Sequence, residues 1–473
     1  MRFFESPCNA EGSGIFVVNI SLGDRNRPFF GRASAWARAL DWLAHEHGIL
    51  FLVSAGNATG GQHDIELSDL TDDRAFGVLQ GKDRAKATLA GIHKNIPLRR
   101  LLSPAEAVNA ITVGALHDDA INDIPTKGNS HDPLPVRGLP TPASRVGPGI
   151  ANAIKPDLLM PGGRLRVTPI LMRNPLAVKV SNANAFGGLQ VAGPGADTTG
   201  ALTSNAWSGA TSGATALATR AAHHIHDALL ASYRDEYGSL HPRFKALLVK
   251  SLLLHRCEIS GDARELVEEV FGPTGRYKTV QRANNVFRMF GLGVPRIDEV
   301  TACLGSRATL WGTGSLGADD GRLFKLPIPA CLSGHAGLRG LSVTLVWFTA
   351  VTPGRRAYRS ERLIVEEPPK AHLQTLLRGS TKHQADTNRV TRGTVFARSW
   401  DGKAAKHFQK NHHLELRVAR KPDSLDDLPD QTDFAFVATL EADELSLPIY
   451  DQVRDRIAVK PQVPVQVPIA PQS

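Results

Sequence analysis

GIFVVNISLGDRNRPFFGRASAWARALDWLAHEHGILFLVSAGN, residues 14–57, holds two apolar runs on either side of one helical stretch. GIFVVNISLG (14–23) is rich in β-branched residues and ends in glycine, which reads as a buried strand. In ASAWARALDWLAHEHG (33–48), Trp36, Leu40, Leu43 and His47 recur at helical spacing, and Gly48 is a natural stop. ILFLVSAGN (49–57) is a second buried strand. Strand, helix, strand in that order needs a crossover connection, so the two strands are expected to be parallel. The fold class read from this unit is α/β.

Working outward, KPDLLMPGG (155–163) reads as a short strand closed by a Pro-Gly turn, and AITVGAL (110–116) as a third buried strand. Before it, Ser103 is placed to cap a helix, with Pro104 at the first position and Glu106 completing a capping box. Residues 58–100 are polar, with a helix expected near 83–95. Residues 117–152 read as loop, and 164–207 as a few short strands such as AVKVSN. SGATSGATALATR (208–220) opens a helix that continues through HHIHDALLASY, and HPRFKALLVKSLLLH (241–255) forms another. From about 305 the texture changes. RATLWGTG, RLFKLPIP, LRGLSVTLVWFTAV, HHLELRVAR and TDFAFVATLEA alternate at period two between turn signals, the pattern of an antiparallel β-sandwich. The expected organisation is a domain over 1–304, a sandwich over 305–460 and an extended tail over 461–473.

The 473 residues suit two or three domains, and 42% apolar with 21% charged residues is ordinary for a globular chain. The net charge of +9 is spread over short runs such as RNR (25–27) and RRAYRSER (355–362), the pattern of a solvated basic surface rather than a nucleic-acid site. Cys8, Cys257, Cys303 and Cys331 are widely spaced and form neither a zinc pattern nor a disulfide framework. With no apolar signal segment and no run long enough to span a membrane, the expected location is the cytoplasm.

Two places carry chemistry. Ser212 stands among Gly209, Ala210, Thr211, Gly213 and Ala214 at a helix start, where free N–H groups favour a developing oxyanion and small neighbours admit a substrate backbone. The competing reading is a Gly/Ala-rich buried helix with Ser212 as a cap. Asn57 lies just past the carboxyl end of a strand, where functional groups of parallel sheets gather and where an amide can face an oxyanion. Its competing reading is a turn asparagine.

NISLGD (19–24), VSAGN (53–57), SPAEAVNAITVGA (103–115), ASRVGPG (143–149), KPDLLMPGG (155–163), SGATSGATALATR (208–220) and GLGVPRID (291–298) resemble, in order and setting, segments of the subtilisin-like serine proteases. The resemblance covers roughly residues 14–300. It implies a subtilisin-like parallel sheet flanked by helices, Ser212 as nucleophile and Asn57 as the oxyanion-hole side chain. It also implies that Ser21, Leu22 and Gly23 form an edge that pairs with extended substrate, with Ser54, Ala55 and Gly56 on the other side of the main specificity pocket. No cofactor and no metal ligand set is implied by the residues present. The expected partner is a peptide or protein substrate, with a further partner conceivable through the sandwich.

The sequence departs from the family pattern in three places. Ala210 replaces a glycine two before the nucleophile, and Ala216 replaces a proline four after it. The family's catalytic Asp and His lie upstream of the NISLG strand, and the residues before Gly14 contain neither type. The expectation is therefore a catalytic domain lacking its N-terminal part, with an incomplete triad. His223, His224 and His226 share the helix of Ser212 but stand about 16 Å or more along it, out of reach of the serine. His63 falls on a loop six residues after Asn57, and His45 and His47 end a helix. Three readings follow: a serine endopeptidase acting through Ser212, a peptide-binding pseudoprotease, and an adaptor working through the sandwich.

Overall fold

The computed structural model describes residues 14–121, 128–170, 174–180, 188–193, 200–201, 203–272, 279–302, 304–366 (without 319, 333, 334, 336 and 356), 384, 390–402, 413–423 and 428–458. Cys8, Cys303 and the tail 461–473 lie outside them.

Four short runs build a parallel sheet: β1 (Val17–Ile20), β3 (Leu50–Ser54), β6 (Ile111–Leu116) and β7 (Leu158–Pro161), in the order β1-β3-β6-β7. Val17 lies opposite Leu50, Leu52 opposite Ile111, and Val113 opposite Leu158. All of β3 and β6 is buried, which is why these strands read as continuous apolar runs without alternation. A small antiparallel pair joins β2 (Asp24–Pro28) to β5 (Leu102–Ser103), with Asp24 opposite Ser103. Two further small sheets involve β4 (Ile65–Leu67), β8 (Val167–Ile170) and β9 (Leu176–Val180), and β10 (Leu189–Gly193) with β11 (Ser204–Ser208).

Helix α1 (Ala35–His47) crosses from β1 to β3 as expected, and Gly48 ends it in the left-handed conformation, φ +66°. Its buried face is Ala37, Leu40, Asp41 and Ala44: of the Trp36, Leu40, Leu43 and His47 stripe read from the sequence it keeps Leu40, while Ala37 and Ala44 are buried in place of their neighbours Trp36, 38% exposed, and Leu43. The small face lets α1 lie close on β3, and the bulky residues stay at its margin.

The helix expected from Ser103 does not form. Residues 104–110 are turns, and the capping residues serve another helix. Ser34 caps α1 by accepting from the Ala37 N–H at 3.0 Å. Its own N–H donates to Glu106 Oε1 at 2.9 Å, and its hydroxyl accepts from Ser103 at 2.5 Å. The reciprocal box is thus assembled between distant segments, which sequence spacing alone does not reveal.

After α2 (Asp73–Val78) and α3 (Gly81–Lys94) comes the long α4 (Ala210–Ser232), which packs across β1, β3, β6 and β7. Ala210, Thr211, Gly213, Ala214, Thr215, Ala218, Ala221 and Ala222 form most of its buried face. Small residues are needed there because they let the helix backbone approach the sheet closely.

From β12 (Arg307–Gly317) onward the chain is antiparallel. One sheet runs β12, β18 (Gln431–Ala442), β14 (Arg339–Trp347), β16 (Val395–Gly402). The other runs β13 (Gly321–Pro327), β17 (His413–Pro422), β15 (Glu361–Glu366). They face each other across an apolar core in which Phe324 stacks on Phe436 at 4.5 Å. A C-terminal helix, Ile449–Ala458, that the sequence reading did not anticipate packs on β12 and β13.

The sandwich is not a separate bead. Val346, Phe348, Val395, Ala435 and Val437 belong to the same apolar core as the parallel sheet. The helix Pro242–Leu254 packs against both halves. From it the buried Lys250 ammonium donates to Asn109 O (3.0 Å), Thr394 Oγ1 (2.7 Å) and Trp347 O (3.3 Å). Among the described residues no helix is long and apolar enough to cross a membrane.

Candidate active site

The carboxyl ends of β1 and β3 meet the N-terminus of α4. Asn57 follows β3 and is pinned on both sides. Its backbone pairs with Ser144, and its carbonyl accepts from Arg145 Nε at 3.1 Å. The Arg145 guanidinium also donates to Arg100 O (2.8 Å) and Leu98 O (3.3 Å), and contacts His63 Nε2 (3.0 Å). An arginine fork with fixed geometry thus holds the Asn57 loop against the Leu98–Arg100 segment.

The side chain of Asn57 is oriented by α4. Its Oδ1 accepts from Thr211 N–H at 3.1 Å and from Thr211 Oγ1–H at 2.7 Å. A backbone N–H can only donate, so the amide atom facing it is the oxygen. Nδ2, the donor, is bonded to none of the described residues. Gly209 offers α4 no capping side chain, and Asn57 supplies that function from another segment.

Ser212 sits in the first turn of α4, where N–H groups lack intrahelical acceptors. Its hydroxyl donates to Ser21 O at 3.1 Å, and Ser21 Oγ donates back to Ser212 O at 3.2 Å. The one hydrogen of Ser21 Oγ is shared between Ser212 O and the nearer Asn19 Oδ1, at 2.8 Å, and Asn19 Nδ2 donates to Thr219 Oγ1 at 3.0 Å. These bonds moor the end of β1 to α4. Ala210 reaches the turn with φ +59°, a left-handed backbone that glycine adopts without strain and alanine does not.

The structure therefore brings Ser21, Asn57 and Ser212 to one place. Leu22 projects into solvent at 66% exposed. Ser54, Ala55 and Gly56 are buried, and Ser54 Oγ lies 3.4 Å from Leu22 O, so the two backbone edges face each other. Thr211, Arg145 and Leu102 also shape the site and were not singled out from sequence. Arg145 stands inside the quoted ASRVGPG segment, and Thr211 adjoins the candidate nucleophile, but neither spacing announced a contact with Asn57.

None of the described histidines is hydrogen-bonded to Ser212. His63 is buried in a short 3-10 helix, Gly61–His63, rather than on an open loop. Burial, then the Arg145 and Arg99 charges, push its pKa down to about 4, so the ring is neutral and Nε2 is the acceptor for Arg145. His226 Nδ1 is 2.7 Å from Tyr237 Oη, and His223 is 3.3 Å from Asp227. Among the described residues no three His, Cys, Asp or Glu side chains are grouped to hold a metal ion.

Residues 7–293 match the model of the subtilase family, well over half of the chain. The chain belongs to the subtilase family. Its relatives include an uncharacterized protein, y4bN, of Sinorhizobium fredii, 28% identical over 356 residues, which are 73% of this chain and 69% of the relative. Among solved structures, that of the prenylagaramide maturation protease PagA is similar over 60% of this subtilase, with 16% identity and a TM-score of 0.30. This subtilase spans 61% of that chain.

Proposed function

We propose that this subtilase is a serine endopeptidase that hydrolyses peptide bonds through an acyl-enzyme on Ser212. The observation that carries the reading is the orientation of Asn57: its oxygen is locked on Thr211, and its amide nitrogen is left as a donor beside the turn that bears Ser212. In the proposed reaction Ser212 Oγ attacks the scissile carbonyl and its proton passes to a histidine. The electron pair displaced onto oxygen is held by Asn57 Nδ2 and the Ser212 N–H. Collapse expels the amine with that proton, and water then releases the acyl group.

A serine without a base is a poor nucleophile. We propose that the histidine and its carboxylate partner come from polypeptide outside the described residues. The edge position of β1 supports this. Nothing among the described residues pairs with its outer side, and Ile15, just before it, is 51% exposed. Parallel sheets are normally covered, and an open edge strand is a template for a further strand. A cytoplasmic location remains part of the proposal, on the strength of the widely spaced cysteines.

The second reading is a subtilase that binds peptides along Ser21–Gly23 without turnover. It is favoured by the Ser212 hydroxyl being spent on Ser21 O. A fluorophosphonate serine-hydrolase probe separates the two, with Ser212→Ala as control. Labelling of the chain that disappears in the variant supports the peptidase and places a working base within reach. Labelling only after a polypeptide carrying an Asp-bearing strand and a His-bearing helix is added supports the peptidase with a supplied base. Absence of labelling in both preparations sinks the peptidase reading in favour of peptide binding alone.

A further inference from the structure

One side chain fills the space between the two edges of the site. Leu102, on β5, is 3% exposed. A Cβ built on Gly56 would meet Leu102 Cγ at 2.7 Å and Cδ1 at 2.8 Å. A Cβ built on Gly23 would meet Leu102 Cβ at 3.0 Å and Cδ1 at 3.4 Å. The same isobutyl group therefore lies against the Ser21–Gly23 edge and the Ser54–Gly56 edge at once. Glycine is needed at 56 twice over, because φ is +93° and because Leu102 takes the room.

Leu102 is also held by its backbone. Its N–H donates to Ala55 O at 3.1 Å, it pairs with Pro28, and the neighbouring Ser103 pairs with Asp24. β5 thus ties to β2 on one side and to the end of β3 on the other. These bonds fix where the side chain is rooted, and its burial at 3% exposed leaves it no open space to turn into. Close-packed interiors do not admit an extra large group without displacing something.

We propose that Leu102 closes the specificity pocket between these edges, so that the enzyme accepts substrates with glycine or alanine on the acyl side of the scissile bond and rejects large apolar residues there. This rests on the peptidase reading of Ser212 and Asn57. Small acyl-side residues need no deep pocket, because the backbone edge at Ser21–Gly23 holds the substrate by strand pairing.

The test uses fluorescent tetrapeptide aldehydes that differ only in the last residue: Gly, Ala, Leu or Phe. The aldehyde fixes that residue beside Ser212. Binding is read by fluorescence anisotropy in the preparation that the fluorophosphonate probe labels, the full chain alone or with the added Asp- and His-bearing polypeptide. The expected result is affinity at least about tenfold higher for Gly and Ala than for Phe. In Leu102→Ala, checked for folding by its melting curve, the order should reverse, with Phe gaining about tenfold or more. Equal binding of Ala and Phe aldehydes by the unmodified chain, lost in Ser212→Ala, overturns the closed pocket and leaves the peptidase reading standing. Failure of every aldehyde to bind a preparation that the fluorophosphonate probe labels overturns the closed pocket and leaves the peptidase reading standing; where the probe labels neither preparation, the peptidase reading falls and the pocket proposal with it. The series on the unmodified chain decides the question even where Leu102→Ala does not fold.

Discussion

His63 shows how a single neutral ring can support a site it does not enter. Arg145 donates to His63 Nε2 and to the Asn57 carbonyl at once. Only a neutral imidazole can accept, so its proton sits on Nδ1, which is buried with no acceptor. The folded state resists protonation, with a pKa near 4 against 6.5 for the free side chain. As pH falls from about 6.5 to about 4, the unfolded chain takes up a proton that the folded chain refuses. The stabilisation is complete above 6.5 and is lost across that window, by about 3 kcal/mol. His63→Gln keeps an acceptor but does not titrate. We expect urea denaturation between pH 7 and pH 4 to lose this part of its pH slope in the variant. An unchanged slope would show that His63 titrates alike in the folded and unfolded chains, and would overturn the lowered pKa.

At the scale of elements, helix starts are completed by residues from elsewhere. Glu106 and Ser103 complete the cap of α1, and Asn57 completes that of α4. Each contact also joins two segments of the subtilase region, so capping and assembly are one event. Glu106→Ala should cost about 1 kcal/mol through the orphaned Ser34 N–H, as for an ordinary lost cap. Chemical denaturation measures it, and a neutral result would mean that water replaces the carboxylate. The helix expected from Ser103 had all the local signals. It lost because the carboxylate and hydroxyl were worth more to α1, and because residues 102–103 pair with β2.

The two halves of the molecule share one apolar core and one polar knot. Asn109 is fully buried. Its Nδ2 donates to Asp41 O (2.9 Å) and Thr349 O (2.8 Å), and its Oδ1 accepts from Thr349 N–H at 2.9 Å. Tyr358 from the sandwich half donates to Asp41 at 2.8 Å. Asn109→Ala leaves these buried groups without partners and should cost about 2–4 kcal/mol. Because the knot and the core span both halves, calorimetry should show one transition with equal calorimetric and van't Hoff enthalpies. Two separated transitions would show that the sandwich folds by itself.

The sequence alone was sufficient for the parallel sheet, the long small-residue helix α4, the antiparallel second half and the placing of Asn57 and Ser212 at strand and helix ends. Those features rest on local periodicity and on residue types whose meaning does not depend on distant neighbours. Tertiary structure alone decided which capping groups serve which helix, that His63 is a neutral acceptor for Arg145, and that Leu102 stands between the Ser21–Gly23 and Ser54–Gly56 edges. It also decided that the sandwich shares a core with the sheet. Each of these depends on contacts between residues tens to hundreds of positions apart, where the burial and hydrogen bonds that settle the outcome exist only once the chain has folded.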